Sequence, residues 1–181
     1  MKTNSIKLAT FLLILTGGFS FCGKNKALTP PASQKILFEC YYINRAWGYS
    51  HKGFFIDKEG KVFDYSLSGS GVDANWNFPD DQGIISEQAL MENLQKTTVR
   101  DTLINSKTLK EYADKIYLVD EKNYTERHNA YDMGARIYVC YQYNKNAKTY
   151  RPVKVLENGD WVRINNNKYA KQISDWLQTI R

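Results

Sequence analysis

Two segments that are rich in β-branched and aromatic residues constrain the fold of this chain most. They are residues 35–44 (KILFECYYIN) and 136–144 (RIYVCYQYN). In both segments apolar side chains occupy both alternating positions, a pattern typical of strands that are covered on both faces of a sheet. The sequence therefore predicts two inner strands.

Each predicted inner strand is followed by a hairpin. In residues 54–65 the turn is predicted at residues 57–60 (DKEG), where Asp opens and Gly closes a type I turn. In residues 153–164 the turn is predicted at Asn158-Gly159, a pair that strongly favours a two-residue hairpin loop. Together with the inner strands, these hairpins predict about six strands.

The two regions also resemble each other. A Cys-Tyr-x-(Ile/Tyr)-Asn motif begins at Cys40 and again at Cys140. This recurrence predicts two similar three-stranded meanders in one antiparallel sheet, with the two cysteines on neighbouring strands. The alternative is that two aromatic strands share these residues by coincidence.

Helical patterns lie between and after the strands. Ser86 is placed to cap one helix, and a second is predicted to begin at Ser106. An apolar stripe at helical spacing ends the chain: Tyr169, Ile173, Trp176, Leu177 and Ile180. Strands and helices in separate blocks predict an α+β class with two to three helices, including an amphipathic C-terminal helix. We expect one domain over residues 34–181, with Trp161 and Trp176 in its core.

The first 21 residues have the order of a secretory signal peptide. Lys2 and Lys7 precede an almost wholly apolar run at residues 8–15, and a short turn-prone segment follows. A membrane-spanning helix needs roughly 20 apolar residues, more than this segment supplies. We therefore expect residues 1–21 to be removed on export.

This leader resembles that of bacterial lipoproteins, in which lipid is attached to a cysteine just after the apolar run. The resemblance implies that Cys22 is the lipid-attachment site and that the protein is an exported membrane lipoprotein facing the periplasm or the cell surface. Residues 23–33 (GKNKALTPPAS) are polar, with paired prolines and no apolar period, so residues 22–33 are predicted to be the lipidated cysteine and a flexible tether. Phe19 and Phe21 depart from the lipoprotein pattern. The alternative is ordinary cleavage after Ser20 or Gly18.

The rest of the chain resembles small uncharacterised exported proteins of bacteria. The likeness lies in residues 46–57 (AWGYSHKGFFID), residues 156–161 (LENGDW) and the amphipathic terminal helix. It implies no activity.

With Cys22 acylated, Cys40 and Cys140 remain as a pair in an oxidising compartment. An even cysteine count there predicts a disulfide. The alternative is that both are buried thiols that act as small apolar side chains.

The sequence carries no catalytic or metal-binding motif. It lacks a Gly-x-Ser-x-Gly elbow, a His-Glu-x-x-His pair and a Cys-x-x-Cys pair, and His51 and His128 are its only histidines. We therefore expect no cofactor and no metal. Without Lys2 and Lys7 the net charge falls from +6 to +4. Such a small positive charge gives little support to nucleic-acid binding, so we expect no nucleic-acid partner.

Two regions carry the candidate ligand-binding residues. The long loop at residues 66–83 contains Asp73, Asn75 and Asn77 at the spacing that begins an EF-hand calcium loop, but Phe78 and Ile84 replace the Gly and Glu which that loop needs. An Asx-turn loop is the alternative. Aromatic residues in or beside loops suit sugar rings or protein interfaces, or belong to the core. The candidates are Trp47, Tyr49, His51, Trp76, Asp73 and Asn75.

The function predicted from these features is a membrane-tethered binding module of the cell envelope. Its partners are the membrane, through the N-terminal lipid, and an unknown envelope protein or glycan. The alternatives are a hydrolase that uses Asp80 or Asp81 with His51 as its acid and base, and a purely structural envelope lipoprotein.

Overall fold

A computed structural model describes residues 29–46, 48–68 and 75–180. Within them the chain forms an α+β fold with one antiparallel sheet of nine strands and three helices, including a C-terminal helix. The strands are β1 (Ile36–Asn44), β2 (Ser50–Asp57), β3 (Lys61–Ser68), β4 (Ile85–Ser86), β5 (Thr98–Leu103), β6 (Tyr124–His128), β7 (Ala135–Asn144), β8 (Thr149–Gly159) and β9 (Trp161–Asn165). The helices are α1 (Glu87–Leu94), α2 (Ser106–Ala113) and α3 (Lys168–Leu177).

The sheet has the order β5-β3-β2-β1-β7-β8-β9-β6, and β4 pairs with β8. The two predicted inner strands, β1 and β7, lie side by side at its centre, and each is followed by two antiparallel neighbours in chain order. The predicted number of six strands is too low. The additional strands β4, β5 and β6 are short or largely exposed, so their sequences lack a clear apolar alternation.

Cys40 and Cys140 lie on neighbouring strands, and both are buried free thiols. The register pairs Cys40 with Tyr138 and Cys140 with Phe38, so the two cysteines are diagonal neighbours on one face of the sheet. Diagonal positions have Cα atoms about 7–8 Å apart, whereas a disulfide usually needs less than about 6.8 Å. The predicted Cys40–Cys140 disulfide is therefore absent from this structure.

Both faces of the sheet are covered in part. On one face α2 and α3 pack on a core that contains Phe38 and Ile173, and Trp176 is buried there between Phe38 and a stacked Tyr112. We call this the helical face. The prediction that Trp176 belongs to the core is confirmed. The prediction that Trp161 belongs to the core is wrong, since 42% of this residue is exposed. It lies on β9, which is next to the edge strand β6.

On the opposite face α1 and residues 75–85 cover only part of the sheet. Leu90 of α1 and Trp76 pack against Phe55 and Val139 of the sheet. None of the described residues covers the part of this face near Trp161, and we call the whole face the open face. No helix in the described part of the chain combines the length and the apolar character that crossing a membrane requires.

The predicted first turn is present, since the Gly60 amide donates to the Asp57 carbonyl at 3.1 Å. The second turn lies one residue later than predicted: β8 continues through Gly159, and the chain turns at Asp160. A Cβ on Gly159 would lie 2.0 Å from the Gly134 carbonyl oxygen. Glycine at this position therefore allows the two strands to approach each other closely.

Side-chain caps fix where the helices begin. The Ser86 hydroxyl accepts from the Ala89 amide at 3.1 Å, as predicted for α1. Helix α2 begins at Ser106, as predicted, with Asn105 as its cap, and Asn167 caps α3.

Candidate functional site

The open face carries a polar cluster at the middle of the sheet. Strand alternation places Glu39 of β1, His51 of β2, Tyr65 of β3 and Tyr141 of β7 on this face. Gly53 of β2 pairs with Tyr65 in the sheet, so no side chain on β2 lies between Tyr65 and β1. The Tyr65 ring therefore reaches across β2 to Glu39.

Glu39 is a buried carboxyl held by two tyrosines. The Tyr65 hydroxyl donates to Oε1 and the Tyr141 hydroxyl donates to Oε2, each at 2.6 Å. Burial raises the pKa of Glu39 to about 7, and the two hydrogen bonds offset part of that effect. Glu39 therefore exchanges a proton close to neutral pH.

His51 extends this network towards the surface. Its Nε2 lies 3.3 Å from the Tyr65 hydroxyl, and its Nδ1 lies 3.4 Å from the Tyr49 hydroxyl. Because the single Tyr65 proton is donated to Glu39, the Tyr65 oxygen accepts from Nε2–H of His51. A neutral imidazole then accepts at Nδ1 from Tyr49. With this tautomer of His51 and with Glu39 ionised, the hydrogen bonds run in one direction from Tyr49 through His51 and Tyr65 to Glu39.

Aromatic rings enclose His51, which is only 4% exposed. Phe78 stacks on the imidazole with centroids 5.8 Å apart, and Tyr41 and Trp76 meet it edge-on at 5.1 and 6.2 Å. Burial, followed by the charge of Glu39, raises the pKa values of Tyr65 and Tyr141 well above their usual range. Both tyrosines therefore stay protonated donors.

A cavity of about 170 Å³ opens against this cluster. We call it the inner cavity, and its walls include Glu39, Tyr41, His51, Phe55, Trp76 and Phe78. A second concave region of about 600 Å³ adjoins it along the uncovered part of the sheet. We call this region the outer groove, and it includes Tyr41, Ile43, Arg45, Ile137, Glu157 and Trp161. Since Tyr41, Ile43 and Arg45 line both, the two form one continuous concave surface.

The structure brings together part of the predicted ligand-binding set. His51 and Trp76 both line the inner cavity, and Tyr49 contacts His51. Trp76 is a core residue that is 7% exposed, not an exposed loop residue. Asn75 is exposed, and its carbonyl accepts from Lys96 Nζ. Trp47, Asp73 and the lipid-attachment candidate Cys22 lie outside the described residues.

The predicted partners Asp80 and Asp81 are exposed, in the segment after Trp76. Oδ1 of Asp80 accepts from the amides of Gln82 and Ile84, both at 2.9 Å, and so closes its own turn. The carboxyl that the structure links to His51 through Tyr65 is Glu39, which the sequence reasoning missed. The available signal was an acidic residue at an inward position of an otherwise apolar strand.

Asn77, the third residue of the calcium-like spacing, is bound to α1. Its side-chain Nδ2 donates to the Ala89 carbonyl at 3.1 Å, and its backbone N–H donates to Oδ1 of Asn93 at 2.9 Å. Across the described residues no three or more His, Cys, Asp or Glu side chains are grouped as metal ligands.

Comparisons of this chain with protein-family models, with curated proteins and with solved structures found no match.

Proposed function

We propose that this protein is a membrane-tethered binding module of the bacterial cell envelope, whose ligand, a protein or glycan, lies along the open face of the sheet. One observation carries the proposal: the inner cavity and the outer groove form one continuous concave surface with Phe78 at one end and Trp161 at the other. Binding sites are typically concave, mostly apolar and furnished with a few polar groups.

The exposed aromatic residues at the Trp161 end support the proposal. Trp161 is 42% exposed, and it meets His128 edge-on at 5.2 Å. Tyr131 is 83% exposed, and its ring lies 4.3 Å from that of His128. Aromatic side chains dominate the energetics of interfaces because they bury large areas with little loss of conformational freedom. Their exposure here is explained if a ligand covers them.

The tether is the second part of the proposal. The leader and the resemblance at Cys22 support attachment of the module to a membrane, facing the periplasm or the cell surface, through a polar linker up to residue 33. Mass spectrometry of the membrane fraction tests this part. A mature protein that begins with a lipidated Cys22 supports it, whereas a lipid-free protein that begins at Phe19 or Phe21 contradicts it.

The binding function is tested by quantitative capture from solubilised cell envelopes with the full-length chain as bait. We expect Trp161→Ala and Phe78→Ala each to reduce capture of the same ligand by at least about tenfold, as loss of a hot-spot aromatic does. Leu103→Ala is the matched control, since Leu103 is 67% exposed on the edge strand β5, away from the groove. Equal capture by all three variants contradicts the proposed surface.

The second candidate function is general acid–base catalysis, a form of the hydrolase alternative. It is favoured by the buried Glu39, whose pKa of about 7 is close to the ideal for a group that gives and takes protons at neutral pH. His51, linked to it through Tyr65, would exchange the proton with the surface. Hydrolysis of a panel of esters and glycosides that is abolished by Glu39→Gln supports this function.

A purely structural envelope protein is the remaining alternative. It predicts no ligand in the capture experiment and no turnover by the catalytic panel. A purely structural role does not account for the concave open face.

A further inference from the structure

The inner cavity combines a wall of aromatic rings with one acidic group at its base. Tyr41, Phe55, Trp76 and Phe78 contribute the rings, and Glu39 contributes the carboxyl. The faces of aromatic rings carry partial negative charge and attract cations. A carboxylate behind such rings strengthens that preference, so the local chemistry suits a positively charged guest.

The two asparagines of the wall, Asn77 and Asn93, are already engaged with each other and with α1. The Asn93 side chain donates to the Asn77 carbonyl at 2.7 Å and accepts from the Asn77 amide at 2.9 Å. The Asn77 side chain donates to Ala89 and to Glu92 of α1, both at 3.1 Å. These asparagines therefore offer few further hydrogen bonds to a sugar ring with many hydroxyls, and a hydroxyl left unpaired in a buried site is unfavourable.

An apolar stem with a single charged tip fits these walls better. Leu90 and Ile85 add aliphatic surface beside the rings, and the cavity volume of about 170 Å³ is small. We propose that the inner cavity binds a primary ammonium group on an aliphatic stem, the side chain of a lysine in a protein partner, with Glu39 as its counter-ion. This inference rests on the proposed binding function and names the chemistry of its ligand.

The charges around Glu39 are consistent with this role. Tyr65, Tyr141 and Tyr41 surround it as neutral groups, and His51 faces it through Tyr65. No ion pair joins Glu39 to any lysine or arginine that the structure describes. Arg45 lines the cavity from an exposed position and is the one positively charged side chain among the described residues of the wall that opposes a cationic guest. Solvent and salt screen that repulsion.

Binding of a cation should depend on the proton of Glu39. The pKa of Glu39 is raised to about 7 by burial, so the ionised fraction rises about tenfold between pH 6 and pH 8. A cation that pairs with the carboxylate should bind about tenfold more tightly at pH 8 than at pH 6, and should release a proton as it binds.

The test measures binding of n-butylammonium to the full-length chain by calorimetry and by NMR shifts of the Trp76 indole at pH 6 and pH 8. We expect the tenfold pH effect with butylammonium and no pH effect with the neutral analogue 1-pentanol. Glu39→Gln should abolish the preference for the cation, while Asp101→Asn, which removes a negative charge from β5, should leave it unchanged. Arg45→Ala should tighten binding a few-fold.

Several outcomes overturn the inference. They are equal affinity for butylammonium and pentanol, a pH effect that persists in Glu39→Gln and so belongs to His51, or tighter binding of glucosamine than of butylammonium. If Glu39→Gln does not fold, the comparison of butylammonium with pentanol in the unmodified chain decides. If the unmodified chain does not bind butylammonium but still captures an envelope ligand in a Trp161-dependent way, this inference alone is refuted. If the unmodified chain neither binds butylammonium nor captures an envelope ligand, the proposed function is refuted as well.

Discussion

Tyr65 on β3 donates a 2.6 Å hydrogen bond across the whole width of β2 to Oε1 of Glu39 on β1. A hydrogen bond to an ionised buried carboxyl is worth about 1.5–3 kcal/mol. Desolvation nevertheless remains the larger effect on Glu39, because its pKa is raised to about 7. The protein thus keeps, in the middle of its sheet, a group that burial destabilises when it is charged.

The first prediction concerns stability against pH. The folded state holds the Glu39 proton up to about pH 7, whereas the unfolded chain loses it near the ordinary value of 4.5. The favourable contribution of this group is therefore complete below pH 4.5 and is lost as the pH rises through 7. We expect a loss of about 3 kcal/mol in the free energy of unfolding between pH 4 and pH 8.

Urea unfolding of the unmodified chain and of Glu39→Gln across that range measures the effect. The Glu39→Gln variant retains every other titrating group. The difference between the two free energies of unfolding, followed against pH, therefore gives the contribution of Glu39 alone. A difference that does not change with pH, or one that changes in the opposite direction, contradicts the raised pKa.

The second prediction separates the two tyrosines from the carboxyl. Tyr65→Phe and Tyr141→Phe each remove one donor to Glu39. We expect each to lower the free energy of unfolding by about 1.5–3 kcal/mol at pH 8, where Glu39 is ionised, and by less at pH 5. Tyr138→Phe, on the helical face of β7, is the matched control and should show no such pH difference. An equal loss at both pH values would mean that the hydroxyls do not serve the charged form.

Apolar residues at both alternating positions of two strands made the centre of this fold predictable from sequence. Residues such as Phe38 and Val139 show that β1 and β7 are covered on both faces, and the turn at Asp57–Gly60 fixes the first hairpin. The strands β5 and β6 were missed because exposed edge strands carry few apolar residues in alternation. Their place in the sheet depends on partners distant in the chain.

The site was harder to predict because its members come from four strands. His51 was identified as a loop-flanking polar residue, but Glu39 and Tyr141 are 102 residues apart and meet only through the β1–β7 pairing. Trp161 was assigned to the core from its residue type. Nothing local in the sequence shows that its neighbour β6 ends the sheet.

The third prediction contrasts two tryptophans. Trp176 stacks on Tyr112 at 4.3 Å and meets Phe38 at 5.0 Å within the core, so Trp176→Ala should lower the free energy of unfolding by about 3–5 kcal/mol. Trp161→Ala removes a partly exposed ring and should change it by about 0.5 kcal/mol or less. Thermal and urea unfolding measure both. A large loss for Trp161→Ala would show that its main role is structural and would weaken the case for the open face as a binding surface.

The fourth prediction concerns the two thiols. Burial raises the pKa of Cys40 to about 12 and raises that of Cys140 still further. Since the thiolate is the reactive form, neither cysteine should be alkylated by iodoacetamide at pH 8 in the folded protein, and both should react in 6 M guanidinium chloride without reductant. Mass spectrometry reads both results. A mass two units lower, with no alkylation of either residue in denaturant, would reveal a disulfide instead.

The last prediction concerns the close approach of β7 and β8 beside the outer groove. A methyl group on Gly159 would lie 2.0 Å from the Gly134 carbonyl oxygen and 2.5 Å from the Ala135 Cα, both backbone atoms that cannot rotate away. Gly159→Ala must therefore push the two strands apart, and we expect it to lower the free energy of unfolding by about 2–3 kcal/mol. Asn158→Ala, at the exposed preceding position, is the control and should have little effect. Because Gly134 and Ala135 line the outer groove, the same strand displacement should also weaken ligand capture in the fraction that remains folded. Unchanged stability and capture in Gly159→Ala would show that the strands tolerate a side chain here and that the groove does not depend on their spacing.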